Sequence, residues 1–310
     1  MSNYHVPVLL KESIEALNIK PQGIYVDATF GGGGHTAEML KKGNKLKIFS
    51  FDQDTEALHE GSILQKKYTE QLILIHDNFK NLRTRLALER IRYIDGILFD
   101  LGVSSHQINE AQRGFSFSQE GKLDMRMNEE QEFTASDVVN DFSYEEIRNI
   151  IFEYGEEREA GRIARAILRE RTNSRIETTL QLADIIEHNT NAKQKVKAKA
   201  RVFQALRIFV NDEMESLKKA LADSVKMLNP GGRIVVISYH SLEDRLVKKF
   251  FKYEEKDCIC PVSFPKCICD KRSTLKIITR KPFLPSADEI ERNNRARSAK
   301  LRIAEKREVV

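Results

Sequence analysis

Three groups of residues in this chain have the types and spacing to do chemistry. The first is Gly31-Gly32-Gly33-Gly34-His35-Thr36, which follows the run Tyr25-Val26-Asp27-Ala28-Thr29-Phe30 at once. Glycines at that point let the backbone take positive φ and approach a ligand that a Cβ would block. The second is a series of polar residues at the ends of apolar runs: Asp52, then Asp77-Asn78-Phe79, then Asp100, then Ser238-Tyr239-His240-Ser241. The third is Cys258-Ile259-Cys260 with Cys267-Ile268-Cys269, which together hold all four cysteines of the chain.

The first two groups describe a nucleotide-type pocket. Asp52 stands roughly 20 positions past the glycines, where a carboxylate accepts hydrogen bonds from both hydroxyls of a ribose. An acid that merely starts a turn is the alternative reading. Asp77, Asn78 and Phe79 are placed to flank an adenine ring, although Phe79 serves equally well as core. The dinucleotide pattern GxGxxG requires glycine at position 36, where this chain has Thr36, and no Lys-Ser or Lys-Thr pair marks a P-loop. The loop and Asp52 do not by themselves separate a nicotinamide cofactor from S-adenosylmethionine. Thr36, Asp100 and the turn Asn229-Pro230-Gly231-Gly232 weigh against a dehydrogenase. A Ser/His hydrolase is disfavoured because no GxSxG elbow occurs.

Four thiolates within a dozen residues can close a tetrahedral zinc site, and with no ligand position left open the metal would be structural. The spacing is C-x-C where zinc sites usually show C-x-x-C, so free thiols in a surface hairpin stay open as the other reading.

These residues need strands and helices to position them. Ile24 to Ala28, Lys47 to Phe51, Leu72 to Phe79, whose end delivers polar groups and one aromatic, and Asp95 to Phe99 read as four strands that each open onto an acid or glycines. They predict a doubly wound, mostly parallel α/β sheet with ligands at the carboxyl ends of its strands. The next strand, Arg233 to Ile237, comes about 130 residues later, where a crossover ordinarily needs one helix. The intervening part reads as a small helical bundle. Capping boxes at Ser143/Glu146 and Thr178/Gln181 precede stripes of Ile147, Ile150, Ile151 and Tyr154, and of Leu182, Ile185 and Ile186, with Ile163, Ala164, Ile167 and Leu168 between them. One long helix is expected from Lys199 to Leu228, with Val202, Leu206, Phe209, Leu217 and Leu221 on one face. Lys193, Lys195, Lys197, Lys199 and Arg201 are either a solvated face or a phosphate-contacting edge. Leu275 to Thr279 is expected as the last strand. Arg292, Arg295, Arg297, Lys300, Arg302, Lys306 and Arg307 then form a basic closing segment suited to phosphates. The expected division is 1–108 and 201–310 for the sheet domain and 109–200 for the helical insert.

The bulk composition narrows the classes. With 41% hydrophobic and 31% charged residues the chain is that of a globular protein, and +5 net charge permits a polyanionic partner without demanding one. No run approaches the roughly 18 apolar residues of a membrane span. The N-terminus has no signal-peptide pattern, so a cytoplasmic location is expected.

Several motifs carry a family resemblance. His5-Val6-Pro7-Val8-Leu9-Leu10, the glycine loop with His35, Arg113-Gly114-Phe115-Ser116-Phe117, Leu123-Asp124-Met125-Arg126-Met127, Arg201 to Arg207, Tyr239 to Arg245 and Arg295-Ala296-Arg297-Ser298-Ala299-Lys300 resemble the MraW family of small-subunit ribosomal RNA methyltransferases. The resemblance spans nearly the whole chain. It implies a class I, S-adenosylmethionine-dependent fold with a helical insert. It also implies methylation of N4 of a cytidine in the decoding region (P site) of 16S rRNA, within an assembled or nearly assembled small ribosomal subunit, and leaves a homodimer open. Cofactor contacts are implied at Gly33, Gly34, His35, Asp52, Phe79, Asp100 and Gln107, of which His35 and Gln107 come from the resemblance alone. Asp100 would also meet the target amine. Amino-methyltransferases of this kind commonly carry an aromatic shortly after that acid, but here Leu101-Gly102-Val103 follows. Phe115, Tyr239 and His240 are therefore the candidates to stack on the base, and Arg295 and Arg297 to contact RNA.

Overall fold

The computed structural model describes residues 7–261, 264 and 266–308, so His5 and Val6 of the amino-terminal motif and Pro265 of the cysteine loop lie outside the described residues. The chain divides into two units, one formed by residues 1–102 and 215–310 and the other by 103–214.

The first unit is built on strands β1 (Ile24–Asp27), β2 (Lys47–Asp52), β3 (Leu72–His76), β4 (Ile94–Asp100), β5 (Leu228–Ser238), β6 (Leu275–Ile277) and β7 (Lys300–Lys306). Their order in the sheet is β3-β2-β1-β4-β5-β7-β6. The first five run parallel, and β7 pairs antiparallel with both β5 and β6. This is a doubly wound, mostly parallel sheet, with its topological switch between β1 and β4. Parallel strands need both faces covered, which is why their sequences are continuously apolar. Val26, Ile97, Phe99, Ile234 and Val236 face one core with helices α4 (Leu82–Leu88), α11 (Glu213–Met227) and α12 (Ser241–Glu255). Tyr25, Leu98, Val235 and Ile237 face the other with α1 (Leu10–Leu17) and α2 (Gly34–Leu40). Helix α3 (Thr55–Lys67) links β2 to β3, and α13 (Ala287–Arg292) precedes β7.

Two expectations are corrected here. The basic closing segment is not a tail: its last part is β7, inserted between β5 and β6. Lys-Leu-Arg-Ile-Ala-Glu-Lys alternates with period two and buries Leu301 and Ile303, so the charges that disguised it lie between the apolar positions. Nor is there one long helix through residue 212. The helices are α10 (Lys195–Val210) and α11, broken where Asp212 takes φ 49°. The Asn211 side chain enforces the break, accepting from Met127 N at 2.7 Å and donating to Met125 O at 2.8 Å. Val202 and Leu206 consequently pack in the helical unit, whereas Leu217 and Leu221 pack against the sheet.

The second unit contains α5 (Ser105–Asn109), α6 (Ala135–Asp141), α7 (Tyr144–Gly155), α8 (Ala160–Arg171), α9 (Thr179–His188) and α10. Its core is the set of apolar stripes read from periodicity, among them Ile147, Ile151, Ile163, Ile167, Leu182 and Ile186. Both expected capping boxes are formed. The motif residues Arg113 to Met127 knit the loop before α6: buried Arg113 donates to the carbonyls of Arg126 and Met127 at 3.2 and 3.1 Å. Gly114 is at φ 75°, and a Cβ there would sit 2.3 Å from the Lys122 carbonyl oxygen.

Candidate functional site

The carboxyl ends of β1, β2, β4 and β5 bring the site residues of the first unit together, and the glycine loop is their centre. Gly31 and Gly33 have φ of 51° and 70°, the region glycine adopts without strain. A Cβ on Gly33 would lie 2.6 Å from the Phe30 ring, so that position is closed to any side chain. The loop is pinned from β2: Asp52 accepts from Gly31 N at 2.7 Å with one oxygen and from Asp54 N at 2.9 Å with the other. The backbone N–H of Gln53 also bears on the carboxylate, which of its roughly four acceptor positions keeps capacity for a hydroxyl. Asp52 retains a water-reachable edge, yet burial pushes its carboxyl up to about 6 against those N–H donors.

Thr36, the residue where the dinucleotide pattern wants glycine, has a positive role. Its hydroxyl donates to Asp27 at 2.7 Å and lies 2.8 Å from the Ser50 hydroxyl, tying α2 to β1 and β2. Asp27 is fully buried at the end of β1 and also accepts from Thr29 N at 3.2 Å. Burial pushes its carboxyl up to about 6. Sequence reasoning gave Asp27 no role, although an acid closing an apolar strand just before a glycine loop was the available signal.

His35 is buried, with Nε2 3.2 Å from the carbonyl oxygen of Val8. A carbonyl only accepts, so Nε2 carries the hydrogen. Burial lowers the imidazole pKa, and the ring is therefore neutral with Nδ1 as an acceptor. Nδ1 faces Oδ2 of Asp100 at 3.6 Å. Two acceptors thus converge on one place, which favours a cationic N–H donor between them.

Asp100 closes β4. Its backbone N donates to the Thr29 hydroxyl at 2.7 Å, and its Oδ1 accepts from the Tyr239 hydroxyl at 2.7 Å. Burial and then the Asp100 charge hold the Tyr239 phenol well above its ordinary pKa, so it remains a donor. His240 caps α12, accepting from Glu243 N while Glu243 accepts from the backbone N of His240. Its Nε2 lies 3.0 Å from Glu243 Oε1 without the alignment of a hydrogen bond. Phe79 is half-buried, edge-on to Phe99 with ring centroids 5.7 Å apart. Asp77 and Asn78 are engaged in their own turn, Asp77 with Asn81 and Arg85, Asn78 with Lys80 N and Gln53.

The remaining candidates divide as follows. In the helical unit, Gln107 is buried in a capping box with Ser104, and Phe115 is half-buried against that unit's core. Lys195 and Lys199 both pair with Glu187, and Arg201 with Glu157, leaving Lys193 and Lys197 as the exposed lysines of that run. In the first unit Arg297 is exposed and Arg295 half-buried. Arg302 is not available to a phosphate, because it makes a two-point pair with Asp244 at 2.6 and 3.3 Å. Lys306 is likewise turned inward, onto the carbonyl of Val225 at 2.8 Å. The four cysteine sulfurs lie within 4.8 Å of one another. Among the described residues no helix is long and apolar enough to cross a membrane.

Comparison with known proteins gives one consistent result. The sequence profile of the MraW methylase family matches residues 2–307. Ribosomal RNA small subunit methyltransferase H of Carboxydothermus hydrogenoformans is 51% identical over 305 residues, covering 97% of each chain. The protein of the same name from Halothermothrix orenii is 51% identical over 306 residues, covering 97% of this chain and 98% of the relative. That of Clostridioides difficile is 49% identical over 310 residues, covering 99% and 100%.

Proposed function

The chain belongs to the MraW methylase family, and from that premise we propose that it methylates N4 of a cytidine in the decoding region of 16S rRNA, using S-adenosylmethionine. Its relatives are named for the small-subunit ribosomal RNA they modify. The observation that carries the reading is the placement of Asp100 between the glycine loop on one side and Tyr239 on the other.

The residues present fit S-adenosylmethionine, which supplies, when bound, an electrophilic methyl on a sulfonium. Asp52 keeps acceptor capacity for ribose hydroxyls beyond the backbone N–H groups that hold it. The paired acceptors His35 Nδ1 and Asp100 Oδ2 suit an ammonium such as that of the methionine part. The open side of Gly31, where a Cβ would meet nothing within 4 Å, leaves room for the uncharged body of the ligand. Gly33, Gly34, Phe79 and Gln107 are proposed as further cofactor contacts.

Cytosine N4 is a weak nucleophile because its lone pair is delocalised into the ring. A carboxylate that accepts an amino hydrogen favours pyramidal nitrogen and aims its lone pair, which is positioning plus electrostatics. Asp100 is proposed for this, with the Tyr239 hydroxyl fixing the plane of its carboxylate. Tyr239 and His240 are proposed to border the base. On the helical unit by itself, Phe115 is the aromatic proposed to contact RNA, and on the sheet unit Arg295 and Arg297 are the cations proposed to contact phosphate. The substrate is proposed to be the assembled or nearly assembled small subunit, in the cytoplasm.

Transfer of tritium from methyl-labelled S-adenosylmethionine to one cytidine of small-subunit RNA, absent in cells lacking the gene, is the expected result. NADH turnover without methyl transfer would replace this reading by a dehydrogenase.

A further inference from the structure

The loop between α12 and β6 has no core of its own. From residue 252 to residue 274 no described side chain is buried, and Ile259, Phe264 and Ile268 point outward at 45%, 47% and 70% exposure. The base of the loop is stapled by Thr274 N to Glu254 O at 2.9 Å, Ser273 N to Asp257 at 3.1 Å and Ile277 N to Glu255 at 3.0 Å. A segment of this length with so little apolar burial cannot offset the entropy of its own ordering. What converges inside it is sulfur.

The four sulfurs form a compact cage. Cys258 and Cys267 are 3.4 Å apart, Cys267 and Cys269 3.6 Å, Cys258 and Cys269 3.7 Å, and Cys260 and Cys267 4.0 Å. A tetrahedron of thiolates at a Zn–S distance of about 2.3 Å has edges of about 3.8 Å, so these separations are those of a filled zinc site. They are far from the roughly 2.05 Å of a disulfide, and all four cysteines are free. The backbone is aimed to match. Ile259 N donates to the sulfur of Cys269, Ile268 N to that of Cys260, and Cys260 N to that of Cys258, each at 3.4 Å. N–H groups directed at sulfur stabilise thiolate over thiol. Each C-x-C arm thus supports a sulfur of the other.

We propose that Cys258, Cys260, Cys267 and Cys269 bind one Zn2+ as a closed tetrathiolate that takes the place of a hydrophobic core in this loop. Binding forms four Zn–S bonds and releases the four thiol protons to solvent. With four protein ligands the ion has no open position, so its role is to fix the loop rather than to react.

Metal analysis of the full chain, purified reduced and without added metal, tests this independently of methyl transfer. One zinc per chain is expected, released in full by a mercurial thiol reagent. Exchange with Co2+ should give intense thiolate-to-cobalt charge-transfer bands and the visible bands of a tetrahedral site. Zinc loss should speed tryptic cleavage after Lys266 by about tenfold or more, since Lys266 directly precedes a cage ligand. The double substitution Cys260→Ser/Cys267→Ser should remove the zinc while leaving the far-ultraviolet circular dichroism of the remaining chain in place. Absence of zinc with four freely titrating thiols, disulfides in its stead, or iron as the bound metal would each overturn the assignment.

Discussion

The Tyr239 hydroxyl donates to Oδ1 of Asp100 at 2.7 Å, joining the carboxyl end of β4 to the residue that follows β5, its parallel neighbour. Because the other oxygen of Asp100 faces His35, the carboxylate is oriented by two strands and the glycine loop at once. Tyr239→Phe should therefore lower kcat about 10- to 100-fold while changing S-adenosylmethionine affinity less than about threefold. Asp100→Asn should cost more, about 100-fold or greater. Single-turnover methylation of small subunits alongside cofactor titration separates the two effects. Equal activity of both variants with wild type would remove Asp100 from the chemistry.

Asp52 links cofactor affinity to pH. With a carboxyl that titrates near 6, it is ionised at pH 7.5 and protonated at pH 5. A protonated acid loses the charge that strengthens its bonds to hydroxyls, so affinity should fall as pH drops through 6. Calorimetry should show the dissociation constant rising about 10-fold from pH 7.5 to 5, and Asp52→Asn should flatten that dependence. Asp52→Ala should weaken binding by about 100-fold, since charged hydrogen bonds contribute about 1.5–3 kcal/mol each.

Asp27 should make the fold pH-sensitive in the opposite sense from most acids. Its folded carboxyl titrates at about 6, above the ordinary 3.8. Between those values the folded state holds a proton the unfolded chain has released, so stability is lost as pH rises through that window. A shift of this size corresponds to about 3 kcal/mol. Denaturant unfolding at pH 5 and pH 8 samples only the upper part of that window, so wild type should gain about 1.4 kcal/mol from this source at pH 5, and Asp27→Asn should lack that difference. An unchanged difference between the two pH values in the variant would show that Asp27 is not its source.

The basic residues near the carboxyl end should separate into two behaviours. Arg302 is buried against Asp244, and although burial alone would raise that carboxyl, Arg302 and Lys300 bring it below its usual value. Arg302→Ala leaves a mostly buried charge without its main partner and should destabilise by about 3–5 kcal/mol. Arg297→Ala should leave stability within about 0.5 kcal/mol and reduce RNA affinity, lowering the salt slope of binding by about 0.7–0.9. Thermal unfolding and filter binding across salt concentrations distinguish them.

How much was legible depended on whether a residue's role is local. The parallel strands announced themselves because both faces are buried, and the helical stripes because Ile147, Ile163 and Leu182 must all turn inward. The position of Asp52 beside the glycine loop was legible from its distance from the glycines along the chain. β7 was missed because Lys300, Arg302 and Lys306 are answered by Asp244 and by the Val225 carbonyl, partners remote in sequence. The break at Asn211 was missed for the same reason: its side chain satisfies backbone groups of Met125 and Met127, 86 and 84 residues away. Thr36 looked like a failed glycine until Asp27 and Ser50 were seen to hold its hydroxyl. Pairings across the fold are invisible to periodicity, and the site is made largely of such pairings.

The position of β7 also has a consequence in time. It is the last strand of the sheet to be synthesised, yet it fills an interior place, between β5 and β6. Until it arrives, β5 carries an open hydrogen-bonding edge and the short β6 has no strand partner. A nascent chain that has finished β6 but not β7 therefore exposes a sticky border, the state in which strands of separate copies most readily pair. Closing the sheet from its interior makes arrival of β7, rather than completion of the pocket, the step that protects it.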